Sequence, residues 1–394
     1  MSARILYVMS GRPWPYDRGD RIRNYHLLRA LLPDNDVTLL TLDVEPSEAL
    51  PDDLAGCRHV SMGVPFWQQG MAVLGHPGMP VTSARRSGWL LERRVRSAMR
   101  GLAWDVVVAA QLRAVPVALA LNGSPHVVDL TDSLWDLYSQ DASAARTLVK
   151  RCSAGANAAR ARRYESFALS RVELATVSSE TDATALRALG GSARIHVIPN
   201  GADVVTRNVD LASEHGVLFV GNCLYGPNLE GLLWFVREVW PLVRAVEPTC
   251  TLDVVGSVQR RIVSVLGAVP GVQVHGYVPE VGQFLAQAAV VINPVLKGSG
   301  TSLKSLEALA WGKALVTTPA GARSLGLVQG VESLVAGTER EFSAAICRCL
   351  RDPGLRSALG TAARRGVSER FAWTAVTERW RGLVMDVAEG VGSR

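Results

Sequence analysis

Short apolar runs alternate along this chain with longer stretches in which apolar positions recur near the helical period. In the first half, Arg4 to Met9 (RILYVM), Asp36 to Leu42 (DVTLLTL), Trp104 to Ala109 (WDVVVA), His126 to Leu130 (HVVDL), Val172 to Val177 (VELATV) and Arg194 to Ile198 (RIHVI) predict strands. Ile22, Tyr25, Leu28 and Leu32 predict a helix over Ile22 to Leu32. Two arginine-rich stretches, Ser83 to Gly101 and Ala144 to Arg171, also read as helical. They are either ordinary amphipathic surface helices or helices facing a membrane surface or a phosphate.

The pattern breaks at Pro199-Asn200-Gly201-Ala202-Asp203, a turn sequence, and the following polar stretch to His215 lacks periodicity. It then resumes. Gly216 to Val220, Thr251 to Val255, Val272 to His275, Ala289 to Pro294 and Ala314 to Thr318 predict strands. Asn228 to Ala245 and Phe371 to Ala388 predict helices. Strands rich in β-branched residues with helices between them imply parallel sheets covered on both faces. The expectation is an α/β protein of two doubly wound, Rossmann-like domains joined by one linker, with ligands at the C-terminal ends of the strands.

Composition narrows the partners. The 394 residues are 48% hydrophobic and 20% charged, enough for two cores. A net charge of +6 suits phosphorylated small molecules or an anionic surface, but no nucleic-acid-binding signature accompanies it. The six cysteines form no disulfide framework or zinc set, and none of the seven histidines has metal-ligand spacing. The N-terminal apolar run stops at Gly11-Arg12-Pro13 and reads as a first strand, not a signal peptide. No apolar stretch approaches the ~20 residues that span a bilayer. A cytoplasmic chain is expected, with peripheral contact at the inner face of the membrane left open.

The segment Ile292 to Leu309 (INPVLKGSGTSLKSLEAL) carries the clearest chemistry. A strand ends at Pro294, and Gly298-Ser299-Gly300-Thr301 leads into a helix bearing Lys304 and Glu307. Glycines let backbone N–H groups approach a phosphate, and a helix start aims its positive dipole end at the same point. Lys304 adds a cation. Glu307, one turn further on, is suited to accept paired hydrogen bonds from a sugar diol. The alternative is a plain loop with a surface Lys-Glu pair. Three other strands end in glycine turns, Gly221-Asn222, Gly256-Ser257 and Gly276-Tyr277, which a doubly wound sheet would align on one rim.

These segments, with VLFVGNCLYGPNLEGLLWFVREVWPLV, the turn PNGAD and the N-terminal PWPYDRGDRIRNYHLLRAL, resemble the retaining GT-B-fold glycosyltransferases of glycosyltransferase family four, in particular bacterial sugar transferases of the group 1 type. The resemblance implies a hexosyltransferase-type enzyme that moves sugar from a nucleoside-diphosphate-sugar to an acceptor hydroxyl on a glycan, a lipid-linked glycan or a small aglycone, with no metal or other cofactor. It divides the chain into an acceptor-binding domain over 1–200, a linker over 201–215, a nucleotide-sugar-binding domain over 216–370 and a terminal helix over 371–394 packing back on the N-terminal domain.

Residue by residue, the resemblance assigns Gly19, Asn222, Gly298, Ser299, Gly300, Thr301, Lys304 and Glu307 to the donor. Glu307 matches the second glutamate of the family's pair and holds the ribose. Ser299 stands where the first glutamate would be. The basic pair that elsewhere clamps the diphosphate after the strand like GVLFV is missing from Asn222 to Asn228, so Lys304, Arg260 or N-terminal arginines would take that part. In VVDLTDS, Thr131 takes the place of the family's histidine and Asp132 that of its aspartate. Asp132 and Lys304 are thus the expected catalytic residues. Asp129, Thr131 and Gln111 are expected acceptor contacts, with strand-end capping the alternative for the two aspartates. Asp20 either lines the site or caps the first helix. Arg21 and Arg23 either face the cleft or are solvated, and Tyr164 and Glu165 are expected to pack behind the site.

An NAD-type oxidoreductase would want a G-x-G-x-x-G after the first strand and an acidic residue about 20 positions later, and neither is present. A nucleotide-sugar epimerase on the same scaffold, or a non-catalytic sugar-nucleotide-binding protein, remains the alternative.

Overall fold

The computed structural model describes residues 2–16, 18–43, 49–63, 78–80, 84, 88–145, 147–205, 215–298 and 300–390. The chain forms two compact units: residues 1–199 with 376–394, and residues 200–375.

Unit 1 contains a seven-stranded sheet in the order β3-β2-β1-β4-β5-β6-β7. Its strands are β1 (Arg4–Met9), β2 (Asp36–Thr41), β3 (Cys57–Ser61), β4 (Val106–Ala110), β5 (His126–Thr131), β6 (Leu174–Val177) and β7 (Arg194–Val197). Every pairing is parallel. The order reverses beside β1, so the switch point lies between the C-terminal ends of β1 and β4, where an open parallel sheet presents its ligand crevice. Strand β4 is buried along its whole length, as its unbroken VVVAA requires. The helices that position the rim are α1 (Gly19–Arg29), α2 (Trp89–Ala98), α3 (Leu134–Ala144) and α4 (Leu148–Leu169).

Unit 2 contains a six-stranded sheet in the order β10-β9-β8-β11-β12-β13. It is formed by β8 (His215–Val220), β9 (Leu252–Val255), β10 (Val272–Gly276), β11 (Ala288–Asn293), β12 (Ala314–Thr317) and β13 (Leu334–Val335), again all parallel. Helix α5 (Gly226–Trp234) follows β8, and α6 (Leu303–Ala310) follows β11. One face of the sheet buries Val217, Phe219, Val254, Val290 and Ile292 against Trp240, Phe342 and Ile346. The other buries Leu218, Val291 and Leu315 against Leu306, Leu309 and Val367.

Several elements differ from the sequence expectation. The stretch 144–171 forms one helix, α4, that starts only at Leu148: the preceding helix α3 ends at Ala144, Ala145 is extended, and Thr147 caps α4 by accepting from the Lys150 N–H. The helix expected over Asn228 to Ala245 runs from Gly226 to Val246 with a π-helical turn at Phe235–Val239. Pro241 sits just beyond that turn; it has no N–H to donate and crowds the preceding turn, and the widened turn absorbs the misfit. The first helix starts at Gly19, so Asp20 lies in its first turn and is not its cap; Arg18 holds the N-cap position without a side-chain bond. The last helix, α7 (Trp373–Ala388), starts two residues late, because Phe371 closes the preceding helix.

Candidate active site

In unit 2 the four glycine turns stand side by side, since β10, β9, β8 and β11 are consecutive in the sheet. Backbone bonds stitch the turns: Gly221 N–H donates to Val255 O at 2.9 Å, and Gly256 N–H to Gly276 O at 2.7 Å. Gly256 has φ 130°, and a Cβ there would lie 2.1 Å from Gly221 O, so no side chain fits. At Gly256 the rim is therefore bare backbone.

The loop after β11 is held from below. Asn293 Nδ2 donates to Ser305 Oγ at 2.9 Å and to Ser302 Oγ at 3.4 Å. Asn200 Nδ2 donates to Thr301 O at 2.7 Å. Gly300 takes φ 74°, which turns the chain into α6. Ser302 caps that helix, its Oγ accepting from Ser305 N–H at 3.4 Å. Gly298, Gly300 and Thr301 thus lie just ahead of the helix start. Ser299 lies outside the described residues.

Lys304 projects from the first turn of α6. Its Nζ donates to Asn228 Oδ1 at 2.6 Å and sits 5.2 Å from the Phe219 ring centre. Burial pulls this ammonium down to about 7. Asn228 also donates from Nδ2 to Asn222 O at 3.0 Å, tying the β8 turn to the lysine. Glu307 is raised, first by burial and then by the nearby Asp203. Asn222 holds its own turn, its Oδ1 accepting from Leu224 N–H at 2.9 Å. The unit therefore offers glycine turns along one rim, a helix start capped by Ser302, and a desolvated amine with a neutral partner. An anion seated there would replace solvation that the amine lacks.

In unit 1, Gly19 is exposed as the first residue of α1, and the N-cap residue Arg18 makes no side-chain bond to the amides of that helix start. At the ends of β4 and β5 the structure brings Gln111, Asp129, Thr131 and Asp132 together. Gln111 and Thr131 both have positive φ, 70° and 66°. For a β-branched threonine this is a strained conformation, costing on the order of 1–3 kcal/mol and typical of functional sites. Gln111 N–H donates to Asp129 O at 2.7 Å, and its Oε1 accepts from Arg113 at 2.8 Å.

Two expectations are corrected here. Asp129 is fully buried and is not placed to touch an acceptor. Its carboxylate accepts from Arg23 Nε at 2.9 Å, from Arg23 Nη2 at 2.7 Å and from Thr176 Oγ1 at 2.8 Å. Arg23 in turn is neither a solvated nor a cleft residue, being itself fully buried. Asp132, by contrast, keeps partial exposure, with Ser178 Oγ donating to its Oδ1 at 3.2 Å. Burial, then the charge of Asp182, pushes Asp132 up to about 7. Glu165 is buried behind the rim and accepts from Leu134 N–H at 2.6 Å and from Ser133 Oγ at 3.2 Å, which fixes the start of α3.

Two family models match the chain. Glycosyl transferases group 1 matches residues 214–352, and glycosyl transferase 4-like domain matches residues 21–201. The chain belongs to the group 1 glycosyltransferases. Its fold is that of their solved GT-B structures. Sucrose-phosphate synthase from Thermosynechococcus elongatus superposes with a TM-score of 0.77 at 16% identity, covering 98% of this chain and 100% of that one. Anabaena HepE in complex with UDP-glucose superposes with a TM-score of 0.65 at 17% identity over 100% of both chains. WaaG, a glycosyltransferase involved in lipopolysaccharide biosynthesis, gives 0.68 at 12% identity over 96% of this chain and 99% of its own. An uncharacterised 44.6 kDa protein in the cps region of Klebsiella pneumoniae is 28% identical over 135 residues, 32% of this chain and 35% of that protein. The match thus spans about a third of that relative's length.

Sequence reasoning missed Asn228, Asn293 and Asn200, the residues that hold the glycosyltransferase loop and its lysine in place. Asn200 was readable only as a turn residue, and Asn293 only as the end of a strand.

Proposed function

We propose that this chain transfers a sugar from a nucleoside-diphosphate-sugar to an acceptor hydroxyl with retention of anomeric configuration and without a metal. What carries the reading is Lys304, an amine poised near neutrality beside a glycine loop and a helix start. Gly298, Ser299, Gly300, Thr301 and the Asn222 turn receive the diphosphate through backbone groups, and Glu307 receives the ribose diol. Gly19, opening α1, offers exposed backbone amides as a further anion contact in unit 1. The complex of Anabaena HepE with UDP-glucose supports a donor of this class.

In the reaction the bond between the anomeric carbon and the phosphate oxygen breaks. The negative charge that develops on the diphosphate is met by amides, helix dipole and Lys304. The acceptor oxygen then bonds to the anomeric carbon on the face the phosphate leaves, and its proton passes to the departing phosphate oxygen. Asp132 orients the acceptor hydroxyl, with Thr131 and Gln111 as its neighbours on the rim.

The test is turnover against a panel of nucleotide-sugars with glycan, lipid-linked and small-molecule acceptors, with product stereochemistry read by NMR. Lys304→Ala is expected to cut transfer by at least about a hundredfold, the scale of removing one preorganised donor, with the fold retained by circular dichroism. Glu307→Ala is expected to act mainly through the donor KM. Wild-type turnover in Lys304→Ala, or an inverted product, overturns the reading.

A further inference from the structure

Helix starts present unpaired amides and a positive dipole end, which favour an anion. At the start of α3 the protein fills that position with its own acids. Ser133 N–H donates to Asp182 Oδ1 at 2.9 Å. Leu134 N–H and Trp135 N–H donate to Glu165 Oε1 at 2.6 and 3.4 Å. Asp136 N–H donates to Ser133 Oγ at 3.2 Å. Every amide from Ser133 to Asp136 is thus already engaged. Asp182 lies on the helix Glu180–Arg187 and Glu165 on α4, and both are fully buried. Asp182 is held in turn by Ser179, whose Oγ donates to its Oδ2.

Asp132 immediately precedes this helix start and takes none of those amides. Its own N–H turns back to Leu130 O at 2.8 Å, and its Oδ1 accepts from Ser178 Oγ. The carboxyl groups of Asp132, Asp182 and Glu165 therefore meet around one short segment, with Asp132 alone reaching the surface. The other charges that act on Asp132 are Arg23, from α1, and Asp129, from its own strand. Those two are bound to each other and oppose one another, so Asp182 is the principal charge that Asp132 meets. Asp182 acts on the far side as well: Glu165 is pushed up to about 7, chiefly by burial, with the charge of Asp182 adding to the rise. Carboxylates that share a site resist ionising together, and their protons leave as a set.

We infer that Asp182 is a positioning residue that acts through Asp132: its buried negative charge governs whether the carboxyl at the Thr131–Asp132 rim holds a proton. The part this plays in turnover rests on the transfer reading, in which Asp132 orients the acceptor hydroxyl. As a carboxylate, Asp132 accepts a hydrogen bond from that hydroxyl. As an acid it offers its own O–H instead, and the hydroxyl loses that orientation. Transfer is therefore expected to rise with pH as Asp132 gives up its proton, and Asp182 sets where the rise falls.

The test is carbon NMR of the full chain labelled at aspartate Cγ, with the Asp132 signal assigned by its loss in Asp132→Asn. In the wild type this signal is expected to titrate near pH 7. In Asp182→Asn, whose side-chain oxygen still accepts from Ser133 N–H, the midpoint is expected to fall by about one pH unit or more. If that variant misfolds, Asp182→Ser replaces it. A wild-type midpoint in the ordinary aspartate range overturns the inference, as does a midpoint that the loss of Asp182 leaves in place. Turnover is read in parallel. One pH unit below the wild-type midpoint, the wild type should run at about a tenth of its plateau and Asp182→Asn at about half of its own. A lowered plateau with an unmoved rise is a structural defect alone and overturns the positioning role. Absence of turnover in the wild type refutes the transfer reading, while a shifted NMR midpoint still supports the hold of Asp182 on Asp132.

Discussion

Lys304 is the residue whose chemistry depends most on its surroundings. Its ammonium, ordinarily near 10.5, is brought to about 7 by burial. Between those values the unfolded chain holds a proton that the folded chain lacks. The group's contribution to stability therefore rises with pH across that window, and is least favourable below about 7. An anion bound beside Nζ reverses the shift, so binding above pH 7 takes up a proton. Affinity for a nucleoside diphosphate is accordingly expected to be flat below about pH 7 and to weaken above it, by up to about tenfold per pH unit. Titration calorimetry in buffers of different ionisation enthalpy measures both the affinity and the proton uptake. Lys304→Met should bind more weakly and lose the uptake. If the variant keeps the wild-type pH slope, the proton belongs to another group, of which the raised Asp132 and Glu307 are the first to test.

At the scale of elements, the end of β5 is set by a buried ion pair between α1 and the strand. Arg23 and Asp129 meet in a bidentate bond, with Thr176 of β6 completing the carboxylate. Such a pair contributes little net stability against an apolar replacement, but breaking it strands a charge in the core. Arg23→Met is expected to cost about 3–5 kcal/mol in denaturant unfolding, and adding Asp129→Leu should recover a large part of that loss. Recovery of nothing would mean that the pair is not the brace. The strands themselves were legible because most are unbroken runs of β-branched residues. Strand β3 was not, since CRHVS is half polar and lies at the sheet edge, where one side needs no apolar cover. The loop and helix start of the candidate site in unit 2 were legible from glycine spacing. The burial of Asp129 was not: its neighbours Val127, Val128 and Leu130 reveal a strand, but nothing local reveals that the partner is an arginine 106 positions away. The same holds for Asn228, whose bond to Lys304 spans 76 positions.

At the scale of the whole molecule, the chain enters unit 2 after Pro199 and rejoins unit 1 at Val376, inside helix α7. The start of this helix belongs to unit 2, where Trp373 stacks so closely on Gly201 that a Cβ there would lie 2.5 Å from the ring. Its remainder belongs to unit 1. Trp380 is fully buried there and donates from Nε1 to Leu27 O at 3.1 Å, while Arg381 reaches Asp34 at 3.0 Å. Residues 376–390 are therefore structural parts of the first unit, which is incomplete without them. Removing the indole leaves a cavity and an orphaned carbonyl, so Trp380→Ala should cost about 3–5 kcal/mol. That cost should fall on unit 1. Hydrogen exchange resolves it: amides of β1 and β4 are expected to lose protection, while those of β8 and β11 keep theirs. Equal loss in both sheets would show that the two units unfold as one, and that the helix stabilises more than the unit it packs on.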